Sequence, residues 1–237
     1  MSFSETITYI WSVRGLILES LGISLLIALG AIIIGFFIGI VMALIRIAPK
    51  TNVFVKVLDK IAQVYITVIR GTPTMVQLLI MYSSIMVSFK YLETNIAVPI
   101  VAFGINSGAY MAEIIRSGIN SVDVGQIEAG RSVGLSWVTT MCRIVIPQAI
   151  KVVVPTIFNE IIILVKETSV VSVIALRMGG MQKWDLLGLT SKMAVAKPAT
   201  YNAFLYTAAA LYLIIVLLLT LVQKCIEKRM KKNERRQ

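Results

Sequence analysis

The sequence predicts an all-α membrane protein with five transmembrane helices, its N-terminus outside and its C-terminus in the cytoplasm. Composition comes first: 57% of the 237 residues are apolar, 15% are charged, and mean hydropathy is +0.85. A soluble domain carries roughly 45–50% apolar and ~25% charged residues. Distribution comes second, because the apolar residues gather into uncharged runs of 19 to 26 residues, and a helix needs ~20 to cross a bilayer core. Third, the 23 Lys and Arg are unevenly placed, and an excess of basic residues marks the cytoplasmic side.

These numbers exclude disordered, collagen-like and nucleic-acid-binding chains. His is absent, which removes the commonest general base and the usual zinc ligands, so no metal site is expected. Cys142 and Cys225 are too few for a disulfide framework. Met1–Ser20 carries Glu5, Arg14 and Glu19 without a basic start before a short apolar core, so no cleavable signal is expected.

The elements follow in order. Ser20–Ile45 has no charge and forms the first span, about 18–46, ended by Arg46, Pro49 and Lys50. Gly35 and Gly39, four apart inside it, permit close helix packing. Over about 54–70, Lys56, Asp59, Lys60 and Gln63 alternate with apolar residues at helical spacing, the pattern of an interfacial amphipathic helix. Arg70-Gly71-Thr72-Pro73 joins it to the second span, about 72–90; Gly71 permits an unusual backbone, Thr72 caps, and Pro73 suits a first helical turn. Lys90, Glu93 and Asn95 make a short polar connection to the third span, about 95–116.

A charged segment, about 117–149, reads as one or two short helices. Asp123 and Gln126 sit three apart as in a capping arrangement. Gly134 closes that helix in a left-handed conformation, and Ser136 caps the next. The fourth span, about 150–176, is interrupted by Glu160, Lys166 and Glu167. Arg177–Lys197 is a polar, Gly- and Lys-rich connection. The fifth span, about 199–224, precedes a basic tail, Lys224–Gln237. With five spans, sixteen of the basic residues fall to one side, six to the other, and Lys166 lies within a span. The whole chain, 1–237, reads as one transmembrane domain.

The charged segment reads Glu128-Ala129-Gly130, then Gly134, then Ile144-x-Ile146-Pro147. This resembles the Glu-Ala-Ala loop of ABC-importer permeases, with Gly130 in place of the second Ala and Ile146 in place of Leu. Arg70-Gly71-Thr72-Pro73 with Gln77-Leu78, Asn106-Ser107-Gly108-Ala109-Tyr110-Met111-Ala112-Glu113, and Lys166-Glu167-Thr168-Ser169 are similar to three further motifs of the polar amino acid permeases, in the same order. On these residues the chain is identified as resembling the transmembrane subunit of polar amino acid ABC importers of the histidine, glutamine, arginine and cystine type.

The resemblance implies a type I importer permease fold in the bacterial cytoplasmic membrane and a non-catalytic subunit. ATP and Mg would be bound by two copies of a partner ATPase, since this chain has no Gly-x-x-x-x-Gly-Lys-Ser/Thr loop. It also implies a second permease copy, identical or paralogous, an extracytoplasmic solute-binding protein, and no nucleic acid. Gln126, Glu128, Ala129, Gly130, Arg131 and Gly134 would form the knob that couples to the ATPase, its small residues letting the partner surface approach.

Charges inside a span cost roughly 2.5–3.5 kcal/mol each facing lipid. Thr156, Asn159, Glu160, Ile163, Lys166, Glu167 and Val170 follow steps of three and four, so they form one stripe facing protein or water. Asn106, Tyr110 and Glu113 share a face of the preceding span. For an amino acid substrate, Lys166 would pair the carboxylate, and Glu160 or Glu113 the ammonium or a cationic side chain. Gln77, Asn106, Tyr110, Asn159, Thr168 and Ser169 would supply neutral hydrogen bonds. Under the alternative, Lys166 and Glu167 form structural pairs between helices and Glu113 is an interface residue. Glu160 favours a cationic or cystine-like substrate.

Three other classes compete. A passive channel or ion-coupled amino acid carrier would use the same charges but needs no coupling knob. A structural scaffold gains nothing from buried Lys and Glu. An intramembrane enzyme needs a nucleophile paired with a base, and the sequence offers none.

Overall fold

The computed structural model describes residues 3–88, 96–174, 176–178 and 181–234. The expected connection at Lys90, Glu93 and Asn95, and Arg235 and Arg236 of the tail, lie outside the described residues. The described chain is helical apart from one short hairpin. Its order is α1 (Phe3–Ser12), α2 (Arg14–Ile47), α3 (Val53–Arg70), α4 (Thr74–Ser88), α5 (Ala97–Asn120), α6 (Val124–Ser132) and α7 (Trp137–Thr140). After a π-helical turn, Met141–Val145, come α8 (Ile146–Glu167), a 3-10 turn (Thr168–Val173), β1 (Leu176–Met178), β2 (Met181–Lys183), α9 (Leu186–Ala196), a second 3-10 turn (Pro198–Thr200) and α10 (Tyr201–Glu234).

Arg14–Ile47, Ala97–Asn120, Trp137–Val173 and Pro198–Met230 are each long and apolar enough to cross a membrane. Counting the bent pair of α3 and the start of α4 as one span brings the number to five. The fold class read from the sequence therefore holds. The connection at Arg177–Lys197 is more ordered than its polarity suggests. β1 and β2 pair antiparallel, Leu176 opposite Lys183. The carboxylate of Asp185 then starts α9 by accepting from Leu187 N–H (3.0 Å) and Gly188 N–H (3.2 Å).

The contacts divide the chain into two compact units, through both of which α2, α5, α8 and α10 run. The first comprises Met1–Ile33, Thr72–Gly104 and Ile162–Thr220. Its core is bulky: Ile23, Ile27, Leu78, Phe103, Leu164 and Val171 are buried together. A further cluster joins Ile17, Leu186, Leu189 and Phe204. The hydroxyl of Ser24, buried in α2, accepts from Leu186 N–H at 3.0 Å and ties the start of α9 to that helix.

The second unit comprises Ile34–Gly71, Ile105–Ile161 and Leu221–Gln237. Here helices meet through small residues. A Cβ on Gly35 would stand 2.9 Å from Ser107 Cβ. One on Gly39 would overlap Met111, and one on Gly118 would overlap Val153. The Gly35/Gly39 spacing thus serves α2 against α5. Tyr65 on α3 donates its hydroxyl to the Ile105 carbonyl at 2.6 Å, and Ile66, Ala109 and Ala112 are buried beside it.

One local expectation changes. Gly71 has an ordinary backbone, φ −88°. Its lack of a side chain matters because a Cβ would press to 2.8 Å from the Thr67 carbonyl oxygen, where α3 ends. Thr72 holds Gln77: its hydroxyl and its carbonyl accept from Gln77 Nε2 at 2.7 and 3.1 Å.

Candidate functional site

In the second unit, the expected polar face of α5 points inward. Asn106 and Ser107 are buried, and the Ser107 hydroxyl donates to Glu160 Oε1 at 3.1 Å. Glu160 is itself only 7% exposed. Ser107 is not among the residues the sequence points to, because it lies about 100° around the helix from Asn106, off the face that Asn106 shares with Tyr110 and Glu113. Asn159 is exposed, and its side-chain oxygen accepts from Gln223 Nε2 on α10 at 3.1 Å. Gln223, the last residue of the fifth uncharged run, also donates to the Pro155 carbonyl and to Glu227.

The stripe along α8 therefore divides. Glu160 is turned into the chain, whereas Thr156, Asn159, Ile163 and Lys166 are exposed. Glu167 and Val170 are half-buried. A stripe as broad as seven residues at steps of three and four cannot all face one neighbour, because its edges lie some 100° apart around the helix. In the first unit, Lys166 is exposed, Ser169 is half-buried, and Thr168 is buried with its hydroxyl donated to the Val165 carbonyl at 2.7 Å. Gln77 is half-buried and turned back on Thr72.

Glu113 and Tyr110, expected as substrate contacts, lie among arginines. Arg116 donates from Nε to Glu113 Oε2 at 3.0 Å and from a terminal nitrogen to Oε1. Arg70 lies over the Tyr110 ring, 5.2 Å from its centre. Arg46 at the end of α2 pairs with Asp59 at 2.6 Å, and Lys50 pairs with the other oxygen of Asp59 at the same distance. Asp59 was legible only as one acid within a Lys-rich helix; its partners come from the preceding helix and turn.

The segment 117–149 folds as α6, then α7 and the π turn continuing into α8. Asp123 caps α6 through Gly125 N–H at 2.8 Å, one residue earlier than the spacing of Asp123 and Gln126 implies. Gly134 takes φ +84°. Its N–H donates to the Arg131 carbonyl and the Leu135 N–H to the Gly130 carbonyl, both at 3.1 Å, the pair of bonds of a Schellman stop. Ser136 caps α7 through Thr139 N–H at 3.1 Å.

Gln126, Glu128, Ala129, Arg131 and Gly134 are exposed on this knob. Gly130 is not: it is buried, and a Cβ there would stand 2.8 Å from Thr140 Cγ2 and 3.2 Å from Ile144 Cδ1. Its smallness serves the seat of α6 on the next helix rather than the approach of a partner.

A chain with several helices long and apolar enough to span, and a capped, charged knob between α5 and α8, is a multi-pass membrane protein by architecture. Residues 35–232 match the family described as "Binding-protein-dependent transport system inner membrane component", and the chain belongs to that family. It is a multi-pass permease component and not itself an enzyme.

The chain is 36% identical over 237 residues to the arginine transport system permease protein ArtQ of Bacillus subtilis, covering 99% of each chain. It is 33% identical over 218 residues to the putative glutamine transport system permease protein GlnP of Rickettsia typhi, covering 90% of this chain and 92% of that one. It is 34% identical over 198 residues to the L-cystine transport system permease protein TcyB of Bacillus subtilis, covering 84% and 81%. Among solved structures, one titled "Crystal structure of an amino acid ABC transporter with histidines" superposes with TM-score 0.83 at 34% identity, over 97% of this chain and 99% of that one. The MetNI methionine ABC transporter in an inward-facing conformation shares the fold, with TM-score 0.68 at 18% identity.

Proposed function

We propose that the chain is the transmembrane subunit of an ATP-driven importer that carries a polar amino acid across the membrane by alternating access. The observation that carries this is the knob. A helix of nine residues, capped at its start by Asp123 and stopped by Gly134, holds Gln126, Glu128 and Arg131 outward while Gly130 seats it on Thr140 and Ile144. A passive channel or ion-coupled carrier has no use for such a rigid charged projection, so that reading is the weaker one.

In this mechanism the partner ATPases, with their ATP and Mg, close on nucleotide. The knobs of two permease copies move together, and the path opens outward to a solute-binding protein; hydrolysis reverses the change. The two copies would be related by two-fold symmetry. The relatives named for arginine, glutamine and cystine support a polar amino acid as the substrate. Glu160, held by Ser107, is the group we assign to the substrate's ammonium or to a cationic side chain. Lys166, Asn159 and Ile163 face out of the single chain; in the pair they would line the path. Glu113 is engaged with Arg116, which argues for a structural role at the end of α5.

The test is ATPase activity and uptake in proteoliposomes holding the chain with its ATPase, across a panel of amino acids, with and without the binding protein. Stimulation by cationic amino acids or cystine is the expected result. Glu128→Lys should leave membrane insertion intact and lower stimulated ATPase activity at least tenfold. Uptake that proceeds without ATP, or a Glu128→Lys chain that couples as wild type does, would overturn the reading.

A further inference from the structure

The second unit contains a cavity of about 400 Å³ lined by Arg46, Gln63, Thr67, Arg70, Glu113 and Arg116, with Ile66 and Gly71 completing its wall. Arg46 ends α2, Arg70 ends α3, and Arg116 lies in the last turns of α5. By the charge distribution all three ends are cytoplasmic. Three guanidiniums meet one lining carboxylate here. Glu113 is held by Arg116, and Asp59, beside the cavity, is shared by Arg46 and Lys50. The four cations and two anions leave a local surplus of positive charge.

Two features show that the surplus is not fully used. Nε of Arg46 is buried without a hydrogen-bond partner among the described residues. Arg70 lies over the Tyr110 ring, its guanidinium carbon 5.2 Å from the ring centre, a contact that uses the cation's charge and not its N–H donors. Planar forks of this kind suit two-pronged binding of phosphate and carboxylate oxygens.

The helix that supplies half the wall carries a further clue. On α3, Lys56, Lys60, Gln63, Thr67 and Arg70 recur at steps of four and three, so the cavity opens along a basic and polar stripe. Val57, Ile61, Val64 and Val68 recur in the same way about a quarter-turn or more away, and all four are more than 50% exposed. Apolar chains and an anionic head would thus find adjoining faces of one helix. Basic pockets at the cytoplasmic ends of membrane helices bind lipid phosphates by this combination.

We propose that this cavity is a binding site for a phosphate oxyanion, presented either as the headgroup of an anionic lipid of the inner leaflet or as free phosphate. Arg70 and Arg116 bind the oxygens and Gln63 and Thr67 donate to them. The apolar stripe of α3 favours the lipid. Occupancy would pin the ends of α2, α3 and α5 together.

The experiment uses the full-length chain, purified without partners in a neutral detergent and stripped of lipid. Its unfolding midpoint is titrated with phosphatidylglycerol, with phosphatidylcholine and with inorganic phosphate. Phosphatidylglycerol should stabilise saturably, at a half-point at least tenfold below that of phosphatidylcholine, and Arg70→Gln should raise that half-point about tenfold. Arg70→Lys should fall between, because it keeps the charge and loses the fork. Lys228→Gln with Arg229→Gln, in the basic tail, should leave the saturable component in place.

Inorganic phosphate that competes with phosphatidylglycerol assigns the site to the headgroup. Phosphate that stabilises where phosphatidylglycerol does not assigns it to the cytosolic anion. Equal effects of the two lipids with no effect of phosphate would overturn the proposal. So would an Arg70→Gln chain of native circular dichroism that responds as wild type does.

Discussion

The two units of this chain hold their helices together by different means. The first relies on large side chains: Ile27, Leu78, Phe103 and Leu164 fill its core, each at most 1% exposed. The second relies on close backbone approach and on charge. Gly35 and Gly39 admit α5 against α2, Gly118 admits α8 against α5, and Arg46, Lys50 and Asp59 fasten the turn between α2 and α3. A core of side chains tolerates small rearrangement, because rotamers shift. Helices that touch through glycine have one good fit, fixed by backbone shape. The unit that carries the knob is thus the one whose geometry is most tightly specified, as the coupling role proposed for it would require.

The sharpest way to break that contrast is one substitution made twice on one helix. In α2, a Cβ on Gly22 meets nothing within 4 Å, whereas one on Gly39 overlaps Met111 and sits 3.1 Å from the Ala112 nitrogen. Gly22→Ala should leave stability unchanged within about 0.5 kcal/mol or raise it slightly, since Ala favours helix. Gly39→Ala should cost about 1–3 kcal/mol, and Gly39→Leu more, through overpacking against backbone. Yield of folded chain and unfolding midpoint in detergent would register both. Equal responses at the two positions would mean that the close contact of α2 and α5 is not what holds the second unit.

The long helices were legible because span length and charge asymmetry are local properties that survive any packing. The stop at Gly134 was legible for the same reason: a left-handed stop requires a particular residue at one point. What escaped was whatever depends on the far side of a contact. Gly130 reads as a small residue next to Ala129, and nothing in the sequence says that it faces Thr140. Asp185 reads as one polar residue in a Gly- and Lys-rich connection, and nothing in the sequence says that the carboxylate starting α9 is buried. The α8 stripe reads as one polar face, but its division between Glu160 inside and Lys166 outside depends on which edge meets α5.

Asp185 sharpens the comparison from the other unit, where it is a buried carboxylate held by backbone donors: its oxygens accept from the Leu187 and Gly188 N–H groups. Burial pushes its pKa up to about 6, and the backbone donors, Gly188 first, only partly offset the rise. The unfolded value is ~3.9, so between about pH 4 and pH 6 the folded chain holds a proton that the unfolded chain releases. Stability from this group is therefore greatest at low pH and declines as pH rises through 6. The full penalty is about 3 kcal/mol, of which roughly half falls between pH 5 and 7. Asp185→Asn keeps a good cap and removes the charge. Its unfolding midpoint should exceed that of wild type at pH 7, by about half as much at pH 5, and converge with it toward pH 4. A wild-type advantage that grows as pH rises would show that Asp185 is stabilised as the anion.

The smallest expected effect tests the knob itself. Gly134 stands at φ +84°, and a Cβ there would meet no atom within 4 Å. Gly134→Ala therefore carries only backbone strain, about 1 kcal/mol, unlike Gly39→Ala, which carries a collision. The strain falls on the two bonds that stop α6, from Gly134 N–H to Arg131 and from Leu135 N–H to Gly130. Because Gly130 remains seated on Thr140 and Ile144, the rest of α6 should keep its place. Amide hydrogen exchange should then quicken about fivefold at the substituted position and at Leu135, the factor that 1 kcal/mol represents, with little change at Thr140. If exchange quickens equally from Val124 to Thr140, the knob depends on its stop more than on its seat, and the rigidity assigned to the glycine contact belongs instead to the turn.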